Sequence, residues 1–182
     1  MAKVLIPLAK GFEELEAVTI IDMLRRAKCE VIVASLEKEL EVHSQGGIKI
    51  IADENLEKID SNLLDAIVLP GGLEGTYNLA DSKILLEMAN VLNEKGKVIA
   101  AICAAPFALF KMGILKDQNF TCYPGMQKQI QNPNYKEDIV VRDGNIITSR
   151  GPATALDFAL FLIEVLVGKE KAQEVKKGIL KS

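Results

Sequence analysis

The chain has 182 residues and a formal net charge of −3, with 49% of its residues apolar and 26% charged. That balance suits one soluble domain spanning 1–182, and the interleaved charges exclude the basic block of a nucleic-acid binder and the basic amphipathic helix of a membrane-surface protein. No apolar run approaches the roughly 20 residues of a membrane span; the start Met-Ala-Lys-Val-Leu-Ile-Pro lacks a signal-peptide layout, and Cys29, Cys103 and Cys122 show no paired or metal-type spacing, which together predict free thiols in a reducing cytoplasm.

Strand-like and helix-like segments alternate along the chain. Lys3–Leu8 reads as a short strand and Glu13–Ala27 as a helix, with Leu, Ile, Val and Met at helical spacing. Glu30–Ser35 is a second strand. Glu41–Val42 and Ile48–Ile51 flank Gly46-Gly47, which predicts a hairpin or loop excursion. Ala66–Leu69 is a buried strand ended by Pro70-Gly71-Gly72, and Ser82–Glu94 an amphipathic helix that Gly96 stops. The apolar run Val98–Ile102 ends at Cys103, and Pro106 opens a helical pattern. Ile139–Val141 and Ile146–Ser149 around Asp143-Gly144 form a hairpin signal, followed by an apolar helix over Pro152–Val167 and a charged one over Glu170–Leu180. This alternation predicts a mostly parallel sheet covered by helices on both faces.

In such sheets ligands sit beyond the carboxyl ends of the strands. The rule selects Ala9–Glu16, Pro70–Gly75, Cys103–Pro106 and Ser149–Pro152. Cys103 stands where a strand turns sharply into a helix, the elbow by which α/β enzymes present a nucleophile. The helix N-terminus behind it predicts a lowered thiol pKa; the plainer alternative is a small buried residue closing a strand. Glu16 shares a helix face with Ile20 and Met23, so its carboxyl is expected to be raised and able to hold or pass a proton near neutral pH. The alternative is a first-turn acid reaching solvent, the reading given to Glu13 and Glu14. Gly71 and Gly72 allow close backbone approach and, with the Ala104 amide, are candidate donors to an oxyanion or thiolate. Arg150 is placed to pair with Glu16 or an anionic substrate, or simply to face water. His43 is the sole histidine and falls in the hairpin excursion, which argues against a Cys-His hydrolase and a histidine-based zinc cluster.

Taken together, Ala9-Lys-Gly-Phe-Glu-Glu-Leu-Glu16, Leu69-Pro-Gly-Gly72, Ala100-Ala-Ile-Cys-Ala-Ala-Pro106 and Thr148-Ser-Arg-Gly-Pro152 resemble the ThiJ/PfpI superfamily, and within it the Parkinson-disease protein deglycase branch in its bacterial form. The match runs from Lys3 to the terminal helix. The resemblance implies a flavodoxin-like three-layer sandwich and a homodimer. It assigns Cys103 as the reactive, oxidation-prone cysteine, Glu16 as the acid that hydrogen-bonds it, Gly71, Gly72 and Ala104 as backbone donors, and Arg150 as a supporting arginine. It carries glutathione-independent glyoxalase, protein deglycase, chaperone and oxidative-stress activities. Human-type relatives have a histidine before proline near the site, where this chain has Tyr123-Pro124; a tyrosine hydrogen-bonds but is a poor base near neutral pH. The protease-like branch has histidine directly after the elbow cysteine, where this chain has Ala104, which argues against a peptidase.

The expectation is a cysteine-dependent glyoxalase or deglycase acting on methylglyoxal or its glycated adducts, with no metal or cofactor and no nucleic-acid or membrane partner. The alternative is a redox sensor or chaperone whose elbow cysteine is oxidised rather than catalytic.

Overall fold

In a computed structural model that describes residues 1–181, the chain runs β1 (Lys3–Leu8), α1 (Glu14–Arg26), β2 (Glu30–Ser35), β3 (Glu41–His43), β4 (Lys49–Ile51), β5 (Glu54–Asn55), β6 (Ala66–Leu69), α2 (Leu73–Ala80), α3 (Lys83–Glu94), β7 (Val98–Ile102), α4 (Pro106–Lys111), β8 (Val140–Asp143), β9 (Ile146–Ser149), α5 (Ala155–Leu166) and α6 (Lys169–Gly178). Seven strands form one sheet in the order β5-β2-β1-β6-β7-β9-β8. Every pairing is parallel except β8 with β9. The central register sets Leu5 between Ile32 and Ile67, and Ala100 between Val68 and Ile147. β6 and β7 are buried at every position, as strands covered on both faces must be. This is the expected flavodoxin-like sandwich.

The chain leaves β1 toward β2 and leaves β6 toward β7, so the direction of winding reverses between β1 and β6. Right-handed crossovers then place α1 on one face and α3 on the other. α1 packs on α5, and α5 on α6, while α2 packs on α4 and α3 lies against β6 and β7. Reversal opens a crevice at the carboxyl ends of β1 and β6, the place where open α/β sheets bind ligands.

Local sequence explains most boundaries. α1 starts one residue later than its periodicity suggests, because Glu13 is its N-cap. Ser82 likewise caps α3, accepting the Leu85 N–H. Pro152–Thr154 forms a 3-10 turn before α5, and the terminal helix α6 begins at Lys169. The hairpin over β3 and β4 forms around Gly46-Gly47. α2 follows Pro70-Gly71-Gly72 in a stretch where the periodicity announces no helix. Gly75, Thr76 and Asn78 are poor helix formers. Tertiary contact holds the helix instead: a Cβ on Gly75 would lie 2.9 Å from Phe12 Cα.

Candidate active site

Three strand ends meet at the crevice. The loop after β1 leads to Glu13 and Glu16, Pro70-Gly71-Gly72 follows β6, and Cys103 follows β7. Cys103 has φ 64°, an uncommon conformation for a residue with a Cβ, held because its N–H donates to Ser149 O (3.0 Å) and its carbonyl accepts from Tyr123 N (2.8 Å). It is the strand-to-helix elbow that the sequence predicts. Pro106 opens α4 immediately after it.

Glu16 is fully buried, on the α1 stripe with Ala17, Ile20 and Met23. Its Oε2 accepts the Gly71 N–H at 2.8 Å. Oε1 has no hydrogen-bond partner within normal geometry among the described residues, and the Cys103 thiol and the Glu13 charge also act on this carboxyl. Burial pushes Glu16 up to about 7, against the Gly71 N–H, which favours the anion. This is the direction that a carboxyl on an apolar helix face predicts.

Two expectations are corrected. The Cys103 thiol is raised, not lowered, because burial and then the ionised Glu16 outweigh the Ala104 and Gly72 N–H groups that favour the thiolate. α4 spans only six residues, too few for its dipole to reverse that desolvation. Second, Gly71 does not offer a free oxyanion donor, since its N–H is committed to Glu16. The donors at Cys103 are Gly72 and Ala104. Gly71 instead makes room: a Cβ there would sit 2.6 Å from both Cys103 Cβ and Glu16 Oε2. Gly72 has φ 89°, and a Cβ there would run into the Gly11 carbonyl.

The two acids behave as a pair that gives up one proton near neutrality. When Glu16 keeps that proton, its repulsion of the thiolate vanishes and the Gly72 and Ala104 N–H groups remain. A Cys103 thiolate is therefore least disfavoured when Glu16 holds its proton, although burial of the sulfur makes Glu16 the first of the two to lose one.

A cleft of about 510 Å³ opens over Cys103, walled by Glu13, Gln45, Leu73, Tyr123, Met126 and Gln129 among others. Tyr123 lines it half-exposed, its ring against Gly151. Arg150 does not line it and makes no ion pair with Glu16; its Nη1 donates to Glu137 O at 3.0 Å. His43 lies on β3, paired with Glu41 and away from the cleft. Cys29 and Cys122 are buried outside it, and burial raises both, Cys122 to about 11.

Sequence reasoning missed Glu13, Gln45, Met126 and Gln129 as cleft walls. For Glu13 a signal existed: Glu13 and Glu16 stand three apart, as an N-cap and N3 do, and Glu13 Oε2 accepts the Glu16 N–H at 2.7 Å. Gln45 had none, since the hairpin reaches the site through Gln45 N to Phe12 O (2.9 Å) and Gly11 N to His43 O (2.8 Å).

The chain is 44% identical over 178 residues to Drosophila melanogaster "Protein dj-1beta", covering 97% of this chain and 95% of that one. It is 43% identical to Arabidopsis thaliana "Protein DJ-1 homolog B", covering 98% of this chain but spanning only 41% of the length of that relative. It is 33% identical to Caenorhabditis elegans "Glutathione-independent glyoxalase DJR-1.2", covering 98% and 95% of the two chains. The crystal structure of Drosophila melanogaster DJ-1beta superposes with a TM-score of 0.96 at 43% identity, covering 100% and 98%. These relatives come from an insect, a plant and a nematode, and do not single out a bacterial form. The model of the DJ-1/PfpI family matches residues 2–165, so the chain belongs to the DJ-1/PfpI family.

Proposed function

We propose that this protein is a cysteine-dependent glyoxalase or deglycase, of the bacterial deglycase type, that acts on methylglyoxal or its adducts without metal or cofactor. The observation that carries the reading is the Glu16–Cys103 pair at the cleft floor, with the Gly72 and Ala104 N–H groups beside the sulfur. The resemblance to a nematode glyoxalase supports it.

The chemistry follows from the pair. The Cys103 thiolate attacks the aldehyde carbon to form a thiohemiacetal, and the Gly72 and Ala104 amides stabilise the developing oxyanion. Glu16, poised near neutrality, moves a proton as hydrogen is lost from one carbon and regained at the next, leaving a lactoyl thioester. Water hydrolyses the thioester to lactate and frees the thiol. Lactate formation from methylglyoxal, without glutathione or thiol buffer, tests the reading. Wild type should form lactate and a folded Cys103→Ser should not; turnover retained in that variant would sink it.

A second reading, a redox sensor or chaperone in oxidative stress, is favoured by one observation: Cys103 is the cysteine that lines the cleft, while Cys29 and Cys122 are buried away from it. Oxidation at Cys103 would place a sulfenic or sulfinic oxygen within reach of Glu16 and the same two amides.

We also propose a cytoplasmic homodimer without nucleic-acid partners. α1 exposes Leu15 and Val18, and the hairpin that Glu14 clamps to the start of α1 exposes Ile48 and Ile51, apolar side chains that a second copy would cover. No helix among the described residues is long and apolar enough to cross a membrane.

A further inference from the structure

The wall of the Cys103 cleft carries one charged side chain. Among the described residues, no lysine or arginine lines it, and Glu13 is its sole carboxylate. Gln45, Tyr123, Met126 and Gln129, which face it from the hairpin and from the segment after Cys122, are uncharged. Arg150 donates to the Glu137 carbonyl and Lys10 pairs with Glu74, and neither lines the cleft.

Glu13 is also fixed in place. Its backbone N–H donates to Gly71 O at 2.9 Å, while its Oε2 takes the Glu16 N–H at 2.7 Å. The carboxylate cannot swing into solvent without uncapping the helix that carries Glu16. A pinned charge in a cleft with low-dielectric walls focuses its field on whatever enters. That field already reaches the cleft floor, since Glu13 is one of the groups that raise Glu16.

We propose that Glu13 is a charge filter for the Cys103 cleft, admitting neutral or cationic carbonyl compounds and disfavouring anionic ones such as 2-oxo acids. That the ligand is a carbonyl rests on the function proposed above; the filter itself acts on any electrophile approaching Cys103. An uncharged oxoaldehyde enters unopposed. So does a carbonyl carried on a cationic amine or guanidine group. The carboxylate product of an oxoaldehyde is born facing a like charge, which hastens its departure.

Alkylation of Cys103 tests the filter independently of turnover. Iodoacetamide and iodoacetate are close in size and differ in charge. Each forms the same S–C bond at the thiolate and releases iodide. Second-order rates at Cys103 are read by mass spectrometry at pH 8, and the ratio of the two reagents is normalised to that of free glutathione. Wild type should favour iodoacetamide by about three- to tenfold, and high salt should shrink the preference. Glu13→Gln should bring the ratio close to one, while Glu13→Asp keeps it above one. Because Glu16 also carries charge at pH 8, the pair of variants separates the effects: Glu13→Asp keeps the charge while disturbing the cap, and only Glu13→Gln removes the charge. A wild-type ratio near one, an unchanged ratio in Glu13→Gln, or faster reaction with iodoacetate would overturn the proposal; the last would reveal a cation supplied from outside this chain's cleft wall. Failure of both reagents to label Cys103 would overturn it too. Absence of lactate with the ratio intact would reject the glyoxalase and leave the filter standing.

Discussion

Replacing Glu16 with glutamine should make the protein more stable and less active, and the gain should grow with pH. A carboxyl raised from an ordinary 4.5 to about 7 costs the folded state about 3 kcal/mol once it ionises, at 1.36 kcal/mol per decade of proton affinity. The sign follows from proton counting. Between these two pKa values the folded chain holds a proton that the unfolded chain has lost, so stability falls as pH rises through that window. Glutamine keeps the acceptor for the Gly71 N–H at 2.8 Å and never ionises. The stability difference between Glu16→Gln and wild type should therefore increase by about 3 kcal/mol from pH 4.5 to pH 8. For a chain of this size that corresponds to about 6–12 °C in Tm. Thermal unfolding followed by circular dichroism at pH 4.5, 6 and 8 reads it directly. Lactate formation should meanwhile fall by about two to four orders of magnitude, because an amide cannot relay the proton. A Tm difference that stays constant across that range would refute the raised carboxyl and the proton-sharing pair built on it.

The other predictions concern the glycine beside the pair and the three thiols. Gly71→Ala forces a Cβ within 2.6 Å of both Cys103 Cβ and Glu16 Oε2; this overpacking should cost about 1–3 kcal/mol and slow Cys103 alkylation, and an unchanged Tm with unchanged labelling would contradict the geometry. Mild peroxide followed by peptide mass spectrometry should add oxygen at Cys103 ahead of Cys29 and Cys122, since only Cys103 lines the cleft; equal oxidation of all three would count against the redox reading.

Much of the architecture was legible because it depends on local pattern. Continuous apolar runs over β6 and β7 mark strands buried on both faces, and the stripe of Ala17, Ile20 and Met23 marks the face of α1 that turns inward. Once strands and helices alternate, the carboxyl ends of the strands point to Cys103, Glu16 and the Gly71-Gly72 pair together. α2 escaped because its composition is that of a turn, and the contact that holds Gly75 against Phe12 comes from 63 positions upstream. Gln45 escaped for the same reason: a hairpin tip carries no mark of the loop it will rest on.

The sign of the Cys103 shift and the role of Gly71 were misjudged through one shared cause. A sequence shows that donors and acids are near a site, but not which donor each acid takes. Gly71 could serve an oxyanion only if Glu16 left its N–H free, and Glu16 cannot. With Oε1 lacking any partner of normal geometry among the described residues, the Gly71 N–H is the one such hydrogen bond to the buried carboxyl, and without it Glu16 would lose the contact that sets its orientation toward the sulfur. Committing that donor to Glu16 leaves Gly72 and Ala104 to the thiolate, against burial and a neighbouring acid. The thiol therefore rises instead of falling, and its ionisation depends on whether Glu16 is protonated. On the proposed chemistry, nucleophilicity at this elbow is a property of the pair, so a change at Glu16 should alter the reactivity of a Cys103 that is itself unchanged.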